Sequence, residues 1–250
     1  MAKKVELKSE AELQKMREAG ILLRKVFNEI GNRVAPGVTT AQLDQVARKC
    51  IEDGGAKPAF LGYLGYPATL CTSVNEEVVH GIPSSRTLNE GDIVSIDCGL
   101  VLNGFYADTA TTYAVGTISE EAQQLLKATR ESLDRAIEHM VVGNRIGTVS
   151  SAVQQYVEER GYSVVRDYTG HGIGRAMHEP PQIPNFGDAD TGFRLRPGLV
   201  LAIEPMVNAG TYKTKTLKDG WTVVTADGAL SAHFEHTIAV TENGPMILTA

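Results

Sequence analysis

The sequence predicts an α+β protein made of an internally duplicated helix-helix-strand unit with pseudo-two-fold symmetry. Three observations carry that prediction. First, a pair of amphipathic helical segments recurs. Gly37, Leu43, Ile51, Glu52 and Gly55 fall on Gly143, Val149, Val157, Glu158 and Gly161, all at an offset of 106 (143 − 37, 161 − 55). Second, an acid-ended strand recurs with them: E-G-D-I-V-S-I-D (Glu90–Asp97) resembles P-G-L-V-L-A-I-E (Pro197–Glu204) at an offset of 107 (204 − 97). Third, the stretch Ser95–Thr111 reads as a β-hairpin that places two carboxylates, Asp97 and Asp108, among apolar and small residues. Two such carboxylates repel each other and are costly to desolvate unless a hard cation lies between them.

The elements follow in order. Ser9 with Glu12 forms a capping-box pattern, and Leu13, Met16, Leu23, Phe27, Ile30 and Val34 mark a long amphipathic helix ending near Pro36-Gly37. A second helix starts at Thr39 or Thr40, buries Leu43, Val46, Ala47, Cys50 and Ile51, and stops at Gly54-Gly55. The hairpin follows, with Gly99 and Asn103-Gly104 supplying its turn. Ser119-Glu120-Glu121 opens a third helix through about Met140, and a fourth carries Val149, Ala152, Val153, Tyr156 and Val157 up to Gly161. The last acidic strand, Phe234–Val240, mirrors Ala107-Asp108-Thr109 at a larger offset of 127 (235 − 108), because the second half has extra loop around Thr211–Gly220. The expectation is one domain over residues 1–250, with half-repeats roughly 9–116 and 117–250.

Composition bounds the function. With 250 residues, 42% hydrophobic, the chain has enough for a sizeable core. A net charge of −6 argues against a general nucleic-acid or anionic-membrane surface. Cys50, Cys71 and Cys98 are odd in number, lack C-x-x-C spacing, and read as free thiols in a reducing compartment. No apolar h-region follows the basic N-terminus and no run reaches roughly 18 apolar residues, so a cytoplasmic protein is expected.

The candidate metal ligands are Asp97, Asp108, Glu204, Glu235 and one or more histidines. A carboxylate-rich site with imidazole suits Mn, Fe(II), Co or Zn, and four carboxylates call for a pair of divalent ions. Such a pair activates water for hydrolysis. His171 and His178 lie in T-G-H-G-I-G-R-A-M-H-E-P-P, and His80 in V-V-H-G-I-P; spacing alone does not say which touch metal. His139, at a helix end, and His233 read as surface or packing residues. The Gly-spaced aromatic loop Gly62–Cys71 reads either as core packing or as one wall of an apolar pocket, which Trp221, the single tryptophan, could close.

Taken together, these residues resemble the methionine aminopeptidases in their short, type I bacterial form. The resemblance runs from about Ser9 to Val240. It rests on S-V-N-E-E-V-V-H-G-I-P (Ser73–Pro83), S-I-D-C-G (Ser95–Gly99), Y-A-D-T-A (Tyr106–Ala110), G-H-G-I-G-R-A-M-H-E-P-P (Gly170–Pro181), I-E-P (Ile203–Pro205) and S-A-H-F-E-H-T (Ser231–Thr237). It implies the pita-bread fold and removal of the N-terminal methionine from nascent chains whose second residue is small. It implies Asp97, Asp108, His171, Glu204 and Glu235 as ligands of two divalent ions, with Asp108 and Glu235 bridging. It further implies Glu204 as the acid/base, His178 as the oxyanion donor, and His80 as a holder of the substrate near the scissile amide. Tyr63, Tyr66, Cys71 and Trp221 would line the methionine pocket. A monovalent cation would lie near Asn75, Glu77 and Ser231. By the same resemblance the protein is a monomer that meets nascent chains at the ribosome, and its own Met1-Ala2 start suits the second-residue rule.

The sequence departs from the family at Phe60, Leu64 and Met177, where relatives often carry Cys, His and Phe; pocket shape is what these bear on. No N-terminal pair of zinc-binding cysteines is present. Only 25 residues (204 − 178 − 1) separate His178 from Glu204, too few for the type II insertion. A prolidase or aminopeptidase P is the nearest rival and is expected to need an additional N-terminal domain, whereas here the first repeat begins by Ser9. A creatinase-like enzyme lacks the full ligand set. A non-catalytic binding module usually has a broken one.

Overall fold

The computed structural model describes residues 5–250; Met1-Ala2 lies outside the described residues. Among the described residues there are four α-helices: α1 (Glu10–Gly31), α2 (Thr40–Asp53), α3 (Glu120–Glu138) and α4 (Ile146–Glu158). The capping box at Ser9 forms as written, and the structure adds a second one at Thr39. The Glu12 carboxylate accepts from the Ser9 backbone N–H at 2.8 Å, and Gln42 Oε1 accepts from the Thr39 backbone N–H at 2.8 Å. Helix α1 stops five residues short of Pro36. Proline biases the residue before it away from the helical region, so turns fill the interval to Gly37, whose φ is +91°.

A nine-stranded sheet runs through both halves. Its path is Lys57–Pro58, Ile93–Leu102, Phe105–Ala114, Glu235–Thr241, Val200–Ile203, Gly170–Gly172 and Glu179–Ile183, with Leu70–Val74 and Gly244–Ile247 pairing alongside. The hairpin is tight: Leu102 pairs with Phe105, and Asn103 and Gly104 both have positive φ, the two-residue turn whose twist matches its strands. Gly99 is not part of the turn. It sits in mid-strand opposite Asp108, and its role is taken up below.

Strand periodicity separates two faces. Val94, Ile96, Cys98 and Leu100 point toward α1 and α2 and join Leu23, Phe27, Leu43 and Ile51 in one buried cluster. A second cluster packs α3 and α4 on Leu199, Leu201, Ile203, Ile238 and Val240. The lone bridges Thr39↔Thr87 and Arg145↔Arg194 brace the starts of α2 and α4 in the same way, at offsets of 106 (145 − 39) and 107 (194 − 87). All four helices thus cover one face, and the alternate residues Asp97, Asp108 and Glu235 look out from the other. The insertion around Thr211–Gly220 is more than loop. Its strand Thr214–Thr216 pairs with Val223–Thr225, which pairs with Glu77–Val79. All three cysteines are free. Among the described residues no helix is long and apolar enough to cross a membrane.

Candidate metal centre and substrate pocket

Register brings the acids together. Asp97 pairs with Ala110 and Gly99 with Asp108, so the two aspartates lie diagonally on the same face of the hairpin. Glu235 opens the neighbouring strand and pairs with Ala110, next to Asp108. Glu204 follows the end of the Val200–Ile203 strand, where the Asn185 side chain donates to its backbone carbonyl at 2.9 Å. His171 lies in the strand beyond. Its Nε2 is 3.9 Å from Asp108 Oδ2 and 3.7 Å from Glu204 Oε1. Ligand atoms of Asp108, His171 and Glu235 all lie within 4.8 Å of one another.

The electrostatics fit a cation. Burial pushes the Asp97, Glu204 and Glu235 carboxyls well above the usual carboxylate range, and neighbouring carboxylates push them further. Burial raises Asp108 to about 7. Asp97 Oδ1, Asp108 Oδ1 and Glu235 Oε1 are buried without any hydrogen-bond partner. Such orphaned oxygens are rare in folded proteins and costly unless an ion takes them. His171 Nδ1 lies 2.9 Å from the Gly172 carbonyl; donating there fixes the tautomer that leaves the Nε2 lone pair facing the acids. Burial lowers the His171 pKa to about 4, so the ring is neutral and competent as a ligand. An oxygen-rich set with one imidazole is the donor chemistry of Mn, Fe(II), Co or Zn.

All eleven site residues named from the sequence line one cavity of about 260 Å³. The acids and His171 form its floor. Tyr63, Tyr66, Cys71 and Trp221 form an apolar wall, with Trp221 edge-on to Tyr66 at 5.1 Å. The Tyr66 hydroxyl sits 2.9 Å from the carbonyls of both Leu70 and Gly81, which locks that ring in place. His80 follows the Glu77–Val79 strand with φ 62°, a conformation uncommon outside glycine, and burial lowers its pKa to about 4. His178 stands at the mouth. Its Nδ1 is 2.8 Å from the Tyr63 hydroxyl, and its ring centre is 4.2 Å from that of His171. Leu64, also at φ 50°, is 82% exposed at the rim, while Phe60 and Met177 are buried in the wall.

One expectation needs correction. His233 is neither a surface residue nor plain packing. It is buried, its Nε2 has no hydrogen-bond partner, and that atom is 3.8 Å from Glu204 Oε2. Thr112 fixes its backbone from both sides, donating to the carbonyl and accepting from the N–H, each at 2.9 Å. Its place two residues before Glu235, on the same face of the chain, was the signal available in the sequence. Of the residues suggested for a monovalent cation, Ser231 and Asn75 are brought together. The Ser231 N–H donates to the Asn75 carbonyl at 2.9 Å, but the Glu77 carboxylate is occupied by Arg86 at 2.7 Å and by the Val74 N–H at 2.7 Å.

Gly99 explains how the pocket keeps its width. A Cβ at this position would meet Phe60 Cε1 at 2.9 Å, Ala59 Cβ at 3.1 Å and Met177 Cε at 3.2 Å. Gly99→Val is therefore expected to press Phe60 and Met177 into the cavity and raise KM for methionyl peptides more than it lowers kcat. Steady-state kinetics on Met-Ala-Ser check this; an unchanged KM would show that the wall yields elsewhere.

The metal-free chain has its own pH signature. The acids bind protons more tightly when folded, so their contribution to stability falls as pH rises. His80, His171 and His233, with lowered pKa values, act in the opposite sense, but only up to their unfolded value of about 6.5. Above about pH 6.5 the histidine contribution is complete, and the carboxylates lower stability, joined at alkaline pH by the buried thiols of Cys71 and Cys98, whose pKa values burial also raises. Thermal unfolding midpoints of metal-free protein are thus expected to drop from neutral toward alkaline pH, and saturating Mn(II) is expected to reduce the drop. Parallel curves with and without metal would contradict this account.

A curled antiparallel sheet capped by four helices, with a buried acid-and-histidine centre at its middle, defines a metal-dependent hydrolase. The chain belongs to metallopeptidase family M24, whose sequence pattern spans residues 14–242. Within that family it is 56% identical to the methionine aminopeptidase of Clostridium perfringens, over 97% of this chain and 98% of that one. The methionine aminopeptidase of Rickettsia prowazekii superposes with a TM-score of 0.97 at 44% identity, covering 99% of this chain and 100% of that one. A prolidase from Pyrococcus horikoshii shares the fold, at a TM-score of 0.80 and 23% identity, but this chain covers only 63% of its length.

Proposed function

We propose that the protein is a type I methionine aminopeptidase that removes the N-terminal methionine from nascent chains whose second residue is small. The observation that carries this reading is the cavity that joins the floor of Asp97, Asp108, His171, Glu204 and Glu235 to an apolar aromatic wall. Asp97, Asp108, His171, Glu204 and Glu235 would hold two divalent ions. Bound there, the ions lower the pKa of water to near neutrality and polarise a carbonyl.

The chain's own residues do the rest. The methionine side chain, soft and polarisable, lies against Tyr63, Tyr66, Cys71 and Trp221. The Tyr63 hydroxyl stays protonated, since burial raises its pKa, and donates to His178 Nδ1. His178 then carries its proton on Nε2 and donates it to the developing oxyanion. Glu204 takes the proton of the attacking water and passes it to the leaving amine. His80, neutral and edge-on to Tyr168 at 5.5 Å, holds the substrate near the scissile amide. We place the enzyme in the cytoplasm as a monomer working at the ribosome, in one domain of half-repeats near 9–116 and 117–250.

Free methionine released from Met-Ala-Ser and Met-Leu-Ser tests the proposal, using metal-free protein titrated with Mn(II), Fe(II), Co(II) or Zn(II). Metal-dependent cleavage of Met-Ala-Ser alone is expected. Cleavage before proline instead would move the enzyme to the prolidase side of the family.

A further inference from the structure

Directly behind the metal centre, on the helix-covered face of the sheet, lies a second cavity of about 490 Å³. Its back wall is the register pair Thr109↔His236, the chain neighbours of Asp108 and Glu235 turned to the opposite face. Arg24 from α1 and Arg130 from α3 flank it. These two arginines are repeat equivalents, separated by the same offset of 106 (130 − 24) that relates the helix pairs. The cavity therefore sits where the pseudo-two-fold axis leaves the sheet, with one guanidinium contributed by each half.

We propose that this cavity binds a small phosphate-bearing anion between Arg24 and Arg130. In a chain of net charge −6 with 30 acidic residues, no carboxylate lines it. Among the described residues neither guanidinium has a hydrogen bond or an ion pair to an acid; Arg130 instead stacks over the Phe234 ring, 4.5 Å from its centroid. Both arginines act on the same two wall groups, Tyr113 and His236. The wall itself is made of donors. The side-chain amides of Asn28 and Asn32 and the Thr111 hydroxyl make no bond within the described residues. His236 is anchored through Nδ1 to Thr249 Oγ1 at 2.9 Å. Two forked cations with neutral donors between them are the chemistry that holds phosphate oxygens bidentately.

Calorimetric titration of the metal-loaded protein tests the proposal, with inorganic phosphate and AMP as separate arms at constant ionic strength and chloride as reference. Saturation at one anion per chain is expected from either arm, which also identifies the source as free ion or phosphate ester. Arg24→Met and Arg130→Met should each weaken binding about tenfold or more, and Arg24→Lys and Arg130→Lys should restore part of it. All four variants should cleave Met-Ala-Ser in chloride like the parent. Repeating the titration in Asp108→Asn separates this site from phosphate on the metals: binding that survives there supports the cavity. No saturation beyond chloride in either arm, unaltered binding in the methionine variants, or loss of binding in Asp108→Asn alone would overturn it. None of these outcomes bears on methionine release.

Discussion

Glu204→Gln is expected to lose both metal and turnover. The substitution keeps shape and removes charge. Glu204 is the member of the acid set that reaches both histidines on the floor: Oε1 is 3.7 Å from His171 Nε2, and Oε2 is 3.8 Å from His233 Nε2. An amide in its place turns one of these oxygens into a donor, which cannot ligate a cation and cannot accept the proton of an attacking water. The fold should survive, because the residue's backbone is held independently by the Asn185 side chain. Metal content after equilibrium dialysis and single-turnover cleavage of Met-Ala-Ser are the measurements. Parent-like values in both would remove Glu204 from the mechanism.

His178→Ala is expected to separate the two readouts. His178 stands at the mouth, stacked on Tyr63 at 5.4 Å with its Nδ1 already engaged, so the metal floor does not depend on it. Loss of one oxyanion donor costs about 2.7–4 kcal/mol, a fall of roughly 10²–10³ in kcat. Metal content should stay at the parent level and KM should move little. Tyr63→Phe provides the matching check on tautomer: it removes the donor that fixes the proton on Nε2 and should lower kcat by a smaller factor. Turnover by His178→Ala at the parent rate would reassign the oxyanion donor.

What could be read in advance was whatever is local or periodic. The capping box at Ser9, the Asn103-Gly104 turn and the alternation that puts Asp97 and Asp108 on one face are all written within a few residues. The repeat extended that reach, since an acid at one strand end implied a partner at the equivalent end. What escaped depends on contacts between distant segments. Gly99 looked like turn chemistry, but its smallness answers to Phe60 and Met177 across the pocket. The ion pair of Arg86 with Glu77 likewise joins two segments whose spacing gives no sign of it. His233 gave only a weak sign, its place two residues before Glu235, because the strand carrying it is ordered by Thr112 from the other half.

The division of the candidate ligand set would have a mechanical consequence. Asp97 and Asp108 come from one side of the connection between Ala114 and Glu120; His171, Glu204 and Glu235 come from the other. Divalent ions held by both groups would add a clasp between two halves that one chain connection and the pairing of Phe105–Ala114 with Glu235–Thr241 already join. A chain nicked in that connection would leave two fragments, each with an incomplete set of ligands. Such fragments should associate more tightly when supplied with metal, and the gain in affinity would report the strength of the clasp.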